Sequence, residues 1–249
     1  MNRSDLQIHS ELTAKELRSL EELQIAVWQY PDREVVPADL MIALQRVGAL
    51  IATASEGAEP IGFVLGLPTT DSKHQHSHML GVRPDRRRQG VGLALKRYQA
   101  AWCLARGITK ISWTFDPLRL ANAKLNLHQL GAIGTAYLPD FYGEMGGINS
   151  GIPSDRLWVE WRPGEPRERA ELQAIPVWDE SWPPRPDLGL SAALLKLALP
   201  GDLEELRAED LPRLEIWQSA LRAAMVHYLA SGYTVWDLGE EPSYLLRRS

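Results

Sequence analysis

The chain has 249 residues, of which 45% are hydrophobic and 24% charged, and its formal net charge is −5 at pH 7. This composition is that of a globular protein with a sizeable core, and the acidic balance argues against binding nucleic acid or anionic lipid through the whole surface. No apolar run approaches the ~20 residues that cross a bilayer, no leader segment is recognisable and the single Cys103 excludes an intramolecular disulfide, so we expect a cytoplasmic protein.

A short strand, two helices and then three more strands are predicted before residue 83. Thr13 followed three residues later by Glu16 is typical of a capping box, so we expect a helix from there to about residue 28 and a second helix at 37–47. Because the strands that follow are separated by short turns, they form an antiparallel meander, since parallel neighbours need a long crossover. The predicted strands are 6–9, 49–54, 61–67 and 76–82.

The rest of the chain contains two segments with the order strand, helix, glycine, strand, strand. The first lies at 108–161, with Gly131 after its helix, and the second at 194–247, with Gly232 after a single predicted helix at 203–230. They are either two copies of one unit or a coincidence, since the arrangement is common. The C-terminal unit completes the sheet of its own chain or that of a neighbour in a homodimer. The predicted domains are 1–163, a Pro-rich linker at 164–190 and the C-terminal unit at 191–249.

An arginine- and glycine-rich turn joins the strand at 76–82 to a predicted helix at 90–106. Glycines let the backbone approach an anion closely, the N–H groups of a helix N-terminus bind phosphates, and guanidinium groups add charge-assisted hydrogen bonds. The pattern predicts a pyrophosphate site, and the alternative is a solvated basic turn. A P-loop is excluded because no Gly-Lys-Ser/Thr follows, and a dinucleotide fingerprint lacks its third glycine. The residues of the turn are Arg83, Arg86, Arg87, Arg88, Gly90 and Gly92.

At this turn the sequence resembles the GNAT acyltransferases. Arg87, Gly90 and Gly92 match their pattern Arg/Gln-x-x-Gly-x-Gly/Ala, and the order of elements over residues 6–161 is similar to the whole GNAT fold. The resemblance implies an α/β (α+β) fold in which helices flank a mixed, mostly antiparallel central sheet, extended here by the C-terminal β-α-β-β unit. It also implies acetyl-CoA or another acyl-CoA, such as succinyl-CoA, as co-substrate.

A narrower resemblance, to a little-studied bacterial GNAT branch, is carried by the segments 76–82, 113–118 and 155–157. Some relatives of that branch are thought to N-acylate amino acids, including succinyl transfer to D-amino acids. The GNAT resemblance implies that the amides of the turn bind the CoA pyrophosphate, that the fourth and fifth strands splay to seat the pantetheine, and that an amine attacks the thioester directly. The implied cofactor-binding residues are Leu80, Val82, Arg87, Arg88, Gln89, Gly90, Val91, Gly92, Asn122 and Asn126.

Direct attack by an amine needs a base for the ammonium proton and an acid for the leaving thiolate. His78, expected on the same strand face as His76, titrates in the useful range, and Asp116 ends the next strand. These two are the candidate bases, and a structural hydrogen bond or an Asp-Pro turn is the alternative for each. With His74 the histidines form a His-x-His-x-His run, but no other ligand spacing supports a metal site, so none is expected.

The candidate acid is displaced from the position that the resemblance implies. Many GNAT enzymes have a tyrosine four residues before the helix-ending glycine, where this chain has Leu127. Tyr137 and Tyr142 are substitutes by location only, and Tyr142 is taken as the candidate acid. Tyr142 and Asn149 lie in the segment 140–149 of a long loop, 138–155, and this segment could close over a substrate. At the end of the loop, Asp155 could pair with a charged end of an amino acid or form an ordinary salt bridge.

Three functions stay open at this stage. The first is an acyl-CoA-dependent N-acyltransferase that modifies a primary amine of a small metabolite, such as an amino acid. The second is a CoA-binding module without catalysis, which acts as a sensor or scaffold and which the leucine at position 127 favours. The third is an interaction protein whose C-terminal unit pairs with a partner chain.

Overall fold

A computed structural model describes residues 6–147, 150–165, 173–179, 181–239 and 241–248. The chain divides into two compact units, residues 1–113 with 146–150 and residues 114–145 with 151–249, so that the boundary falls within the fifth strand. The domain boundaries expected at 163 and 191 stay a prediction. No helix in the described ranges is long and apolar enough to cross a membrane.

The first unit is an antiparallel meander to which one parallel strand is added. Its strands follow the order β1-β2-β3-β4-β5, and the β4–β5 pair is the parallel one. The strands are β1 (Leu6–His9), β2 (Leu50–Glu56), β3 (Glu59–Pro68), β4 (His74–Val82) and the first part of β5 (Lys110–Phe115), and the helices are α1 (Ala14–Trp28), α2 (Ala38–Arg46) and α3 (Val91–Leu104).

Helices cover both faces of this meander, because β2 and β3 are apolar on both sides. Ile51 and Phe63 pack in a cluster with the apolar stripes of α1 and α2, whereas Leu50 and Val64 pack in a second cluster with the first turns of α3. The predicted capping box begins α1. Cys103 of α3 is completely buried in the core.

The strands of the second unit follow the order β7-β6-β10-β11-β9-β8. Val235 of β10 lies opposite Gly134 of β6 in an antiparallel pair, so the C-terminal unit completes the sheet of its own chain. The strands are β6 (Ile133–Leu138), β7 (Arg156–Trp161), β8 (Ile175–Pro176), β9 (Leu194–Ala198), β10 (Tyr233–Leu238) and β11 (Ser243–Arg248), and the helices are α4 (Leu120–Ala123), which continues as a π-helical turn (Lys124–Gln129), α5 (Leu203–Glu209) and α6 (Leu211–Ala230).

The prediction of a single helix at 203–230 is wrong, because the helix is interrupted at Asp210. The Asp210 carboxylate accepts a hydrogen bond from the Arg213 N–H group at 3.1 Å and begins α6, in which Pro212 occupies the first turn. Proline is tolerated there but not in a helix interior, since it lacks an N–H group. The two-residue strand β8 also lies within the predicted linker, and it is too short to leave an alternating pattern in the sequence.

The two β-α-β-β segments share a detail that their sequence pattern does not contain. The β6–β7 pair has a one-residue bulge at Thr135, and the β10–β11 pair has one at Trp236. Each bulge comes four residues after a helix-ending glycine in the left-handed region, Gly131 (φ 75°) and Gly232 (φ 85°). Because bulges are specific features of a strand pair, this agreement favours two copies of one unit.

Candidate functional site

The turn after β4 presents main-chain N–H groups at the start of α3. The first main-chain hydrogen bond of the helix is donated by Ala94 to the Gly90 carbonyl oxygen at 2.9 Å, so the N–H groups of Val91, Gly92 and Leu93 have no helical acceptor. Arg88 (φ 62°) and Gly90 (φ 87°) both adopt the left-handed conformation. Such a turn forms an anion-binding concavity, and the helix dipole adds to it.

The four arginines of the turn differ in the contacts that their side chains make. Arg83 and Arg86 form ion pairs with Asp85 and with glutamates of the β2–β3 hairpin. Arg87 donates to main-chain carbonyl groups at the ends of α1 and β4, at 2.9 and 3.3 Å. Arg88 is exposed, and its side chain makes no hydrogen bond or ion pair with another described residue. Three of the predicted arginines therefore stabilise the turn, and the guanidinium group of Arg88 is exposed to solvent.

The side chains of the other implied cofactor-binding residues of this segment make contacts within the protein. The Gln89 side chain donates to the Asp85 carbonyl oxygen at 3.0 Å, and Val91 is 1% exposed in the core. Leu80 and Val82 are half-buried against the same cluster as α3. Their roles in binding a cofactor stay predictions.

A bulge and a splay open β4 where the resemblance places the pantetheine. Against β3, Ser77 lies opposite Gly66 and Met79 opposite Leu65, so His78 is an extra residue without a partner. Towards β5 the parallel pairing spans only 74–76 with 110–112, and the strands part beyond it. The expected splay of the fourth and fifth strands is thereby present.

His78 and His76 lie close together at this splay, with ring centroids 6.4 Å apart. The His78 side chain reaches solvent, and the protein atoms around it lower its pKa from 6.5. Partial burial, together with the positive charges of His78, His74 and Lys96, lowers the pKa of His76 to about 4. Both imidazoles are therefore neutral at pH 7 and can accept a proton.

Behind the histidines lies a buried polar cluster that sequence analysis missed. It is built by Gln75 and Ser77 of β4 and by Lys96, Gln99 and Cys103 of α3, all buried. The three α3 residues are spaced three and four apart, so they share one helix face. The signal in the sequence that could have revealed this cluster is the pair Lys96 and Gln99, which lie on the buried face of an amphipathic helix.

Asp116 and the two asparagines belong to the second unit. The Asp116 carboxylate accepts from the Leu118 N–H group at 2.8 Å and from Arg207 of α5 at 2.7 Å, which supports the structural alternative for this residue. Asn122 is exposed, whereas Asn126 is 4% exposed. Asn122 lies in α4, whereas Asn126 lies in the π-helical turn that continues it.

The tyrosines of this unit differ in availability. Tyr137 is buried and donates to the Asp155 carboxylate at 2.7 Å, and burial raises its pKa well above 10. Asp155 is 1% exposed and also accepts two hydrogen bonds from Arg222 of α6, at 2.7 and 2.9 Å, so it is part of a structural network. Tyr142 is 44% exposed, and its hydroxyl group lies 3.3 Å from that of Thr114.

The loop at 138–155 is held at two places, where its ends meet and near its middle. Its first residues are tied to its last by hydrogen bonds between Asp140 and Ser154. Near its middle, Gly147 (φ 61°) packs so closely on the end of α1 that a Cβ atom would lie 2.1 Å from the Trp28 carbonyl oxygen. The expected closure over a substrate stays a prediction, and Asn149 lies outside the described residues.

The histidine run makes hydrogen bonds to a serine. His74 Nε2 and His76 Nδ1 lie 2.7 and 3.4 Å from the hydroxyl group of Ser112. Within the part of the chain that the structure describes, no group of three or more His, Cys, Asp or Glu side chains is arranged to hold a metal ion.

Comparison with known proteins agrees with this geometry. Residues 16–131 match the model of the Acetyltransferase (GNAT) family. No curated protein sequence matches the chain. The chain is similar in structure to the ribosomal-protein-S18-alanine N-acetyltransferase from Escherichia coli, with a TM-score of 0.53 and 16% identity over 67% of this chain and 99% of that one.

Two further structures contain acetyl-CoA. One is a putative acetyltransferase from Salmonella typhimurium, with a TM-score of 0.52 and 17% identity over 68% of this chain and 99% of that one. The other is a GNAT family acetyltransferase from Elizabethkingia anophelis, with a TM-score of 0.51 and 15% identity over 64% and 99%. At these identities the likeness concerns the fold. Together with the family match over residues 16–131, which is slightly less than half of the chain, it shows that this chain contains the GNAT acetyltransferase fold.

Proposed function

We propose that the protein is an acyl-CoA-dependent N-acyltransferase that modifies the primary amine of a small metabolite, such as an amino acid. The turn after β4 carries the proposal, because the N–H groups of Val91, Gly92 and Leu93 and the side chain of Arg88 are available to one anion. A thioester of CoA supplies an activated acyl group when bound there.

His78 is the proposed general base. It projects from the bulge of β4, where a strand residue is released from regular pairing, and its side chain reaches solvent. Because its pKa is lowered from 6.5, it is neutral at pH 7 and can take the proton of an attacking ammonium group. Asp116 is not retained as a base, since its carboxylate is held by the Leu118 N–H group and Arg207.

Tyr142 is the proposed general acid for the leaving thiolate. Of the two tyrosines considered, it has the exposed hydroxyl group, whereas the Tyr137 hydroxyl group is committed to Asp155. Leu127, at the position that the family resemblance gives to the acid, is fully buried and has no proton to donate. Tyr142→Phe should lower kcat without weakening the binding of CoA, and an unchanged kcat would refute this assignment.

The binding half of the proposal is tested by two glycines at opposite ends of α3. Gly90 (φ 87°) precedes the helix and Gly107 (φ 74°) follows it, and around both a Cβ atom would meet open space. Replacing either by alanine costs about 1–2 kcal/mol of backbone strain without a steric clash. Gly90→Ala should raise the Kd for CoA several-fold, because the N–H groups move, and the matched Gly107→Ala variant should not.

Calorimetric titration with CoA gives both constants. Equal Kd values for the two variants would contradict the phosphate assignment, and so would a wild-type protein that does not bind CoA. The catalytic half is tested by thiol release from acetyl-CoA with a panel of amino acids. Tight CoA binding without turnover would favour the alternative that the leucine at position 127 suggests, a CoA-binding module without catalysis.

A further inference from the structure

The two β-α-β-β segments are arranged about a local two-fold axis between β6 and β10. Their helix-ending glycines, Gly131 and Gly232, are 101 positions apart, and the same interval makes Gly134 of β6 equivalent to Val235 of β10. These two equivalent residues also lie opposite each other in the antiparallel β6–β10 pair. A residue that pairs with its own equivalent marks a two-fold axis, as in an interface between two identical subunits.

The neighbouring strands repeat the same register on both sides of this axis. Gly134 lies opposite Val159 of β7, and Val235 lies opposite Leu246 of β11. In each of these strand pairs the bulge follows at the next residue. The strand order β7-β6-β10-β11 is therefore the same when it is counted from either end. Further out, β9 pairs in parallel with β8, as β5 does with β4.

The helices that precede the two glycines bury equivalent positions. Ala123 and Ala224 are both fully buried, and so are Leu127 and Tyr228. The packing is also reciprocal, because the π-helical turn of the first segment contacts β10 and α6 of the second segment contacts β6. Each segment thus offers the same elements to the other, which is the property that defines an isologous interface.

The second segment has this interface without a phosphate-binding turn. The sequence between β8 and β9, residues 177–193, has no Arg-x-x-Gly-x-Gly pattern, and the described residues there contain no helix. Beside β9, the indole N–H group of Trp178 donates to the Ala198 carbonyl oxygen at 3.0 Å and bridges the position at which β4 and β5 separate in the first segment. What the second segment shares with the first is therefore the face with which the two meet.

We propose that β6 and the helix beside it form a two-fold interface for a copy of the same β-α-β-β unit, and that the C-terminal unit fills this interface within the chain. Without that unit, β6 would be an edge strand whose unpaired N–H and C=O groups invite pairing with a second chain. Because both halves belong to one chain, the interface forms without a partner molecule and at any protein concentration. The protein is accordingly a monomer that contains its own dimer-like interface.

Exchanging the two residues on the axis tests the two-fold relation. A Cβ atom on Gly134 would lie 2.7 Å from the Cβ atom of Val235, so Gly134→Val alone overfills the site. Val235→Gly alone removes a fully buried side chain and leaves a cavity. Gly134→Val combined with Val235→Gly places the same side chain at the equivalent position of the other strand. We therefore expect each single variant to lower the urea midpoint of unfolding and the double variant to recover most of the loss.

Phe63 and Gly81 provide a matched control, because they lie opposite each other in the antiparallel β3–β4 pair, outside the two segments. A Cβ atom on Gly81 would lie 3.0 Å from the side chains of both Phe63 and Trp28. Gly81→Phe keeps the clash with Trp28 after Phe63→Gly has removed the other, so this exchange should not recover its loss. Recovery in both pairs, or in neither, would contradict a two-fold axis between β6 and β10. The midpoints of the double variants relative to wild type decide this even if no single variant folds.

The dependence on protein concentration tests whether the interface lies within one chain. The urea midpoint of an interface between chains rises with protein concentration, whereas that of an interface within a chain does not. We expect one midpoint at all concentrations and the mass of a single chain in solution. A midpoint that rises with concentration, or a mass of two chains, would contradict the proposal, because the C-terminal unit would then complete the sheet of a neighbour. None of these measurements involves CoA, so their outcome is independent of the proposed function.

Discussion

Replacing Lys96 with methionine should stabilise the protein by an amount that depends on pH. The pKa of this lysine is about 7 in the folded protein and 10.5 in its ordinary state, because burial disfavours the charged form. Between these values the unfolded chain binds more protons than the folded one, so the free energy of unfolding of the wild-type protein rises with pH. Below pH 7 both states are protonated and the cost of burying the charge is complete.

The size of the effect follows from the shift. A difference of 3.5 between the two pKa values corresponds to roughly 5 kcal/mol. Methionine has no charge to bury, but it also loses the hydrogen bonds to Ser77 and Gln99, at a cost of about 1–3 kcal/mol that does not vary with pH. The pH-dependent part is therefore the quantity to measure, and it should shrink by about 1.4 kcal/mol per pH unit above pH 7.

Urea unfolding at several pH values between 6.5 and 9.5 provides the test. We expect the stability of Lys96→Met relative to wild type to fall steadily over this range, by about 3 kcal/mol in total. The exposed Lys73, replaced in the same way, is the matched control and should show little effect at any pH. A difference between Lys96→Met and wild type that is independent of pH would refute the picture of a buried, destabilised charge.

Three further predictions concern the other parts of the molecule. His78→Gln should remove the acidic limb of the kcat/KM profile below pH 6.5, and a limb near pH 4 that His76→Gln removes instead would assign the base to His76. Arg222→Met should lower the free energy of unfolding by about 3 kcal/mol, since a buried carboxylate loses two charge-assisted hydrogen bonds, and a loss below 1 kcal/mol in urea titration would contradict this. Gly134→Ala should cost about 1–3 kcal/mol because its Cβ atom would lie 2.7 Å from that of Val235. Gly201→Ala, at an open position, is the control, and equal losses would argue against a close β6–β10 contact.

The phosphate-binding turn was predictable because its chemistry is local. Arginines, glycines and the start of a helix follow one another within ten residues, and both the φ values and the free N–H groups are consequences of that short segment. The sequence did not indicate that the two neighbouring arginines make different contacts. Arg87 donates hydrogen bonds to main-chain carbonyl groups, whereas Arg88 is exposed to solvent. That difference depends on where the ends of α1 and β4 lie.

The bulge at His78 and the cluster around Lys96 were not predictable in the same way. A bulge shifts the register by one residue, and strand alternation alone cannot locate it. The surroundings of Lys96 join residues of β4, α3 and β5 that are up to 36 positions apart. The sequence alone shows that a lysine and a glutamine lie on one face of α3. Only the packing of β4, α3 and β5 shows that no carboxylate of the described residues pairs with Lys96.

The C-terminal unit is best understood as a support for the turn after β5 and for the loop that contains Tyr142. Arg222 of α6 holds Asp155 at the end of the loop that contains Tyr142, and Arg207 of α5 holds Asp116 in the turn after β5. Both carboxylates are almost completely buried, so without the unit Asp155 would have no cationic partner among the described residues and Asp116 would keep only Arg119, at 3.8 Å. A unit added only to recruit a partner would not need to neutralise the buried charges of its neighbour. Its contacts therefore favour a role in holding the candidate acid and its loop in place, over the alternative of an independent interaction module.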